Sequence, residues 1–235
     1  MGLEPSFVQH LRLGHSLVKD DLLVIVPSRA RPHNLRRLLR AWLDTEATAD
    51  LIVCVDDDDP FLPEYLALSL PLLTVGPRQG LVAWTNEAAL EFADQYRFLG
   101  SLGDDHVPRT VGWDQRLCAS LERVTFAYGD DLIQHEALPT ACLMRSEVVT
   151  KLGYMCPPSL EHQYVDNCWL EWGKAVGICY HPTVVIEYLH PLVSKAPPDA
   201  VYAQSQALMQ PDALAFAAYM ASQFTQDVRK LRSAS

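Results

Sequence analysis

The sequence predicts an α/β fold on a mostly parallel central sheet flanked by helices, and three observations carry that reading. Two uninterrupted aliphatic runs, Leu22-Leu23-Val24-Ile25-Val26 and Leu51-Ile52-Val53-Cys54-Val55, have the continuous apolarity of strands buried on both faces. Between them apolar residues recur at Leu35, Leu38, Leu39 and Trp42, the spacing of an amphipathic helix. Each run stops at a polar turn: Pro27-Ser28-Arg29-Ala30-Arg31-Pro32 after the first, Asp56-Asp57-Asp58-Asp59-Pro60 after the second. Strand, helix, strand in this order is a right-handed crossover unit, which brings both turns to the same edge of the sheet.

The later elements extend this pattern. A third strand is expected at residues 72–75, followed by Gly76-Pro77-Arg78-Gln79-Gly80 and a helix over about 82–93. A fourth, at 96–102, runs into Gly103-Asp104-Asp105-His106. Ligands of open parallel sheets bind outside the carboxyl ends of the strands, where these acid-rich and glycine-rich turns must lie. Residues 138–144 form another apolar stretch, after which Ser146 is placed to cap a short helix that stops at Gly153. A helix over 167–176 ends at Gly177, and late strands are expected at 178–180 and 183–188. Pro211 sits at the favoured first position of a C-terminal helix, with Leu214, Ala218, Ala221, Phe224, Val228 and Leu231 as one apolar stripe. That helix reads as an arm packed on the domain or, alternatively, on a second subunit of a homo-oligomer.

Composition bounds the function. The 235 residues are 49% hydrophobic and 20% charged, which suits a globular chain with a sizeable core and excludes disorder, collagen and coiled coil. No apolar run approaches the ~18–20 residues needed to span a bilayer. The opening MGLEPSFVQHLRLGHS lacks the apolar stretch of a signal peptide, and its Met-Gly start fits only a loose myristoylation pattern, so a cytoplasmic protein without membrane contact is expected. Six cysteines without a C-x-x-C spacing read as reduced, mostly buried thiols rather than a zinc site or disulfide framework. The 29 acidic against 19 basic residues give a net charge of -10, which disfavours non-specific binding of a polyanion. Eight of those acids lie in three short clusters, at 56–59, 104–105 and 130–131, so the excess is local rather than spread over the surface.

Asp104-Asp105 at a strand end is the strongest chemical signal. Two adjacent carboxylates there can hold a hard divalent cation, which in turn neutralises a diphosphate; Gly-Asp-Asp is also a common turn sequence. The run Asp56–Asp59 is similar, although a solvated acidic loop accounts better for Asp58 and Asp59. Arg29 and Arg31 carry forked guanidiniums suited to phosphate, whereas Arg36, Arg37 and Arg40 read as the solvated face of the next helix. His190, after a late strand, is able to reach a metal as neutral imidazole, although a lone histidine is more often structural.

Taken in order, PSRARP, VDDDDP, GPRQGLVAWTNEA, FLGSLGDDHVPRTVGWDQRL, LPTACLMRSEVVTKLGY, EHQYVDNCWLEWGKAVG and VVIEYLHP resemble a GT-A fold glycosyltransferase of the family 2-like type found among bacteria and phages. The match runs from Leu22 to about Lys195. The resemblance implies one catalytic domain over 1–198, with a nucleotide-binding half at about 20–106, an acceptor half at about 107–195, and a helical extension over 199–235. It implies a nucleoside-diphosphate sugar donor, UDP-sugar favoured, contacted by Pro27, Ser28, Arg29, Arg31, Asp56 or Asp57, Arg78, Asn86 and Asp104. It implies a divalent cation, Mn2+ or alternatively Mg2+, on the D-x-D-like Asp105 and on His190. Where such sequences often carry Glu-His, this one has Glu187-Tyr188, which leaves a third ligand open, with His181 in reserve.

Asp166 matches the acid that acts as general base in inverting members, and it also stands where a helix N-cap would. Glu161 and His162 are weaker substitutes. Trp113 and Trp169 are placed either to stack on an acceptor or to pack. The acceptor reads as a protein, a glycan or a modified DNA base. A sugar-phosphate nucleotidyltransferase is the alternative reaction, although it usually needs a glycine-rich loop after the first strand, and PSRARP has no glycine. A non-catalytic nucleotide-sugar binding module is the third reading.

Overall fold

A computed structural model describes residues 9–12, as backbone, and 21–233 of the chain. The Met-Gly start that fits the myristoylation pattern lies outside them. The elements in order are β1 Gln9–Arg12, β2 Leu22–Ser28, α1 Pro32–Asp44, β3 Asp50–Asp56, α2 Leu62–Leu66, β4 Leu72–Gly76, α3 Gly80–Phe92, β5 Phe98–Ser101 and β6 His106–Pro108. They continue as α4 Trp113–Leu121, β7 Phe126–Asp130, β8 Cys142–Arg145, α5 Glu147–Leu152, α6 Val165–Val176, β9 Ile178–Tyr188, α7 Ala200–Ala207, α8 Met209–Ser222 and α9 Phe224–Arg232.

The sheet order is β1-β4-β3-β2-β5-β8-β7-β9-β6. Its heart, β4-β3-β2-β5, is wholly parallel, as the aliphatic runs predict. Beyond β5 the pairing turns antiparallel through β8 and β7, which makes the sheet mixed. Successive residues of β2 face opposite layers: Leu23 and Ile25 pack with α3, α5 and α6, while Leu22, Val24 and Val26 pack with α1 and α4. Burial of each such side chain stabilises the fold by about 1.5–3 kcal/mol. The two late strands are one, β9, in which the register jumps from Gly129↔His181 to Asp130↔Val185. That bulge re-aims the last stretch of β9 toward β6 and the strand-end edge.

The C-terminal region departs from the expected single stripe. The helix breaks after Leu208 and again at Gln223, so the 3.6-residue phase restarts at Phe224. Within α8 the face turned to the core is Asp212, Ala215, Phe216 and Tyr219, which leaves Leu214, Ala218 and Ala221 exposed, and only Val228 and Leu231 of the stripe are fully buried. Pro211 is the third residue of α8, not the first. Two buried carboxylates tie these helices to the domain instead. Asp212 accepts from the backbone N–H groups of Glu161, His162 and Gln163. Asp227 accepts from the hydroxyls of Tyr154 and Tyr219.

Candidate active site at the strand ends

The turn after β2 contains Ala30 in the left-handed region, at φ 56°, and Pro32 starts α1. This sharp exit turns Arg31 and Ser28 toward the end of β5. Ser28 Oγ donates to Asp104 Oδ2 at 2.7 Å, Asn34 Nδ2 to Oδ1 at 3.2 Å, and Arg31 Nη1 to Oδ1 at 3.3 Å. The Tyr65 hydroxyl from α2 lies 2.9 Å from Ser28 Oγ and accepts from Arg31 N at 2.8 Å. Asp104 and Asp105 are both buried. Burial, with the neighbouring Asp105 charge, pushes the Asp104 carboxyl up to about 6 against the pull of Arg31 and Ser28. Burial also works against the Asp105 carboxylate, but the His106 ring, the Tyr202 hydroxyl and Arg31 outweigh it and hold that carboxyl below its ordinary range.

The close turn depends on Gly103: a Cβ there would lie 2.6 Å from Asp105 Oδ1 and 3.0 Å from His106 Nδ1. Gly103 N instead donates to His106 Nδ1 at 3.0 Å, and His106 Nε2 is buried without a partner. The imidazole stacks on Tyr188 at 4.4 Å.

The second acidic turn is built around Asp56, which is buried and accepts from Arg29 Nη1 at 2.6 Å and Trp84 Nε1 at 2.7 Å. Gly76 makes room for that indole, since a Cβ would come within 2.9 Å of it. Asp57 is exposed, and Asp58 is exposed and paired with Arg29 at 2.5 Å. Asp59 does not belong to a solvated loop. It is buried and accepts from Ala30 N at 2.7 Å and Phe61 N at 2.8 Å, because those inward-facing amides need an acceptor and the adjacent turn supplies it.

Several expected contacts are corrected by their partners. Asn86 is not open to a nucleotide: its amide accepts from Met155 N and Cys156 N and donates to Cys156 O, fastening the loop that follows α5. The Arg31 fork is taken by Asp199, to which Nε and Nη2 both donate at 2.8 Å, and the guanidinium lies 3.9 Å over the Tyr202 ring. Trp113 is wholly buried edge-on to Trp42 at 5.3 Å, and Trp169 is buried with Nε1 on Met155 O. Both tryptophans therefore pack rather than stack on an acceptor. His181 is held by Ser120 of α4 and does not join Asp105. Arg78 is exposed beside the Asp58 charge.

Asp166 is the second residue of α6, not its N-cap, a place taken by Tyr164 in the left-handed region at φ 65°. One carboxylate oxygen accepts from Asn167 N at 2.9 Å. Burial pushes its carboxyl up to about 6, a value suited to a base near neutral pH. Glu161 is exposed, and burial lowers the His162 pKa against the field of Asp105, which raises it. His190 accepts from Leu192 N through Nδ1, and burial lowers its pKa so that the ring stays neutral with its proton on Nε2; binding a metal would require the other tautomer, with the Leu192 hydrogen bond given up.

A hard carboxylate and a neutral imidazole form a donor pair that fits Mn2+. Between them stands Tyr202, its hydroxyl 2.7 Å from Asp105 Oδ2 and its ring edge-on to His190 at 5.1 Å. Among the described residues no group of three His, Cys, Asp or Glu side chains gathers at one point, so other positions would fall to ligand oxygens or water. Tyr65, Trp84, Asn34, His106, Asp199 and Tyr202 were not singled out by the sequence; they lie in helices or beside the motifs, and no spacing marks them.

A scan of the sequence against protein-family models finds no match, and a comparison with curated proteins also finds none. Similarity is found among solved structures. A mannosyltransferase from Pyrobaculum calidifontis, in complex with GDP-Man and Mn2+, superposes with a TM-score of 0.59 at 13% identity, covering 92% of this chain and 74% of that one. Glucosyl-3-phosphoglycerate synthase from Mycobacterium tuberculosis, with Mn2+, UDP and phosphoglyceric acid, gives 0.54 at 13% identity, covering 81% and 76%. A CMP:2-keto-3-deoxy-manno-octonic acid synthetase with CTP gives 0.50 at 11% identity, covering 81% and 99%. At such identities the likeness establishes the fold: an α/β chain of the GT-A, Rossmann-like type.

Proposed function

We propose that the chain is a cation-dependent glycosyltransferase that moves a sugar from a nucleoside diphosphate to an acceptor hydroxyl with inversion. The observation that carries this reading is the buried Asp104-Asp105 pair, held from β2, α1 and α2 at the end of a GT-A sheet. Two carboxylates concentrated in a dry site are costly without a compensating cation, and the fold supplies one in Arg31. In this reading Asp56, held by Arg29 and Trp84, would serve the base or ribose of the nucleotide, and Asp104 the ribose or sugar. A divalent cation on Asp105 and His190 would neutralise charge on the departing diphosphate.

Asp166 takes the proton of the acceptor hydroxyl as its oxygen attacks the anomeric carbon from the face opposite the leaving group. Its carboxylate has one oxygen anchored on Asn167 N, which leaves the other for the acceptor. The neighbours with the same fold include transferases in complex with GDP-Man or with UDP and Mn2+, which supports this donor class. The synthetase neighbour keeps nucleotidyl transfer as the second reading.

Incubation with Mn2+ and a panel of nucleotide sugars tests the proposal: slow donor hydrolysis releases the nucleoside diphosphate, whereas nucleotidyl transfer releases pyrophosphate from a nucleoside triphosphate. Asp105→Ala should abolish metal-dependent donor binding, and Asp166→Asn should bind donor but not turn over. Full activity of Asp105→Ala would exclude the assignment.

A further inference from the structure

Resting on the reading of this edge as a nucleotide and cation site, we propose that α7 is a displaceable latch: Asp199 stands in the Arg31 fork where a phosphate would sit, and the Tyr202 hydroxyl stands on Asp105 where a cation would sit. Four observations converge on it. The Asp199 carboxylate meets Arg31 Nε and Nη2 at 2.8 Å each, the two-point geometry with which arginine binds phosphate or carboxylate. The Tyr202 hydroxyl lies among acceptors, 2.7 Å from Asp105 Oδ2 and 3.1 Å from Leu189 O, with a single hydrogen to share between them. Two oxygens there compete for one proton, and a cation could satisfy both at once.

The third observation is how little else holds α7. It has eight residues and none is fully buried, so it lacks the apolar face that usually holds a helix to a core. Besides Asp199 and Tyr202, Ser205 receives the Gln163 amide. The fourth is that Asp199 is also the N-cap, its Oδ1 accepting from Tyr202 N at 3.0 Å. The same carboxylate starts the helix and clamps Arg31. A phosphate that takes the fork therefore removes a contact that docks α7, and a cation that takes Asp105 removes Tyr202.

Hydrogen exchange and calorimetry test the latch, with Mn2+ plus UDP or GDP as probes. Asp199→Asn keeps an N-cap but loses the charged fork, and Tyr202→Phe keeps the ring over Arg31 but drops the hydroxyl from Asp105. In the wild-type chain the amides of 200–207 should be protected and exchange at least tenfold faster once Mn2+ and nucleotide are added, while α9 is unchanged. The double variant should exchange fast at 200–207 without ligand. It should also bind the Mn2+–nucleotide pair at least tenfold tighter, because the apparent dissociation constant of a closed site is divided by its open fraction. Equal or weaker binding by the variant overturns the latch, as does ligand-induced slowing of 200–207, which would make the segment a lid closing over its ligand. Absence of binding by wild type and variant alike overturns the nucleotide reading itself, and the latch with it.

Discussion

Replacing Arg31 by Met removes a guanidinium that faces both buried carboxylates, and the cost can be worked from the distances. Arg31 Nη1 lies 3.3 Å from Asp104 and 3.7 Å from Asp105, with both sides of each pair less than a tenth exposed. At an effective dielectric of about 20, each contact of that length is worth about 4–5 kcal/mol of attraction before desolvation is counted. Removing one partner of a buried pair leaves an uncompensated charge, and the net loss is about 3–5 kcal/mol. The Asp199 contact adds little, since that carboxylate is 37% exposed and solvent screens it.

The loss depends on pH. The Asp104 carboxyl is raised to about 6, above its ordinary value, so it favours the folded state at low pH and that contribution is lost as pH climbs through 6. Without Arg31 it rises further, which makes the variant's deficit largest near pH 8 and smaller at pH 5, where Asp104 carries a proton. Urea unfolding followed by tryptophan fluorescence at the two pH values measures it. A deficit under about 1 kcal/mol at pH 8, or one that does not shrink at pH 5, refutes the buried-charge account.

Three other predictions follow from named contacts. Asn86→Ala should destabilise the fold by about 2–3 kcal/mol, from the unpaired amides of Met155 and Cys156, and leave nucleotide affinity unchanged; calorimetry with UDP or GDP checks the second half. Gly103→Ala should weaken Mn2+ binding tenfold or more, since its Cβ displaces Asp105 Oδ1 and His106, and metal titration reads this directly. The acid limb of kcat/KM should rise through about pH 6 as Asp166 loses its proton, and Asp166→Asn should leave only a residual, much flatter profile.

Much of the fold was legible because its signals are local. The continuous runs of β2 and β3 have no polar residue to place in solvent, so burial on both faces was their only outcome. The helix between them shows its buried face at Leu35, Leu38 and Trp42. The C-terminal stripe misled because periodicity was carried across Gln223, where the chain restarts its helix. At the site, Asp104-Asp105 and Asp166 were legible as acids at element ends. Trp113 and Trp169 were not, because an indole that packs and one that binds a ligand look alike until their neighbours are known.

The sequence by itself determined which edge of the sheet gathers the acids and arginines, since acid-rich and arginine-bearing turns follow directly on strands whose apolarity sets their direction and depth. Only the tertiary structure decided which acids act together and what faces them. Asp59 turned inward to serve two amides, Asn86 became a fastener, and Asp199 and Tyr202, 168 and 97 residues from their partners, closed on Arg31 and Asp105. Side-chain pairing depends on distance in space, and contacts made across such separations leave no period or motif in the chain.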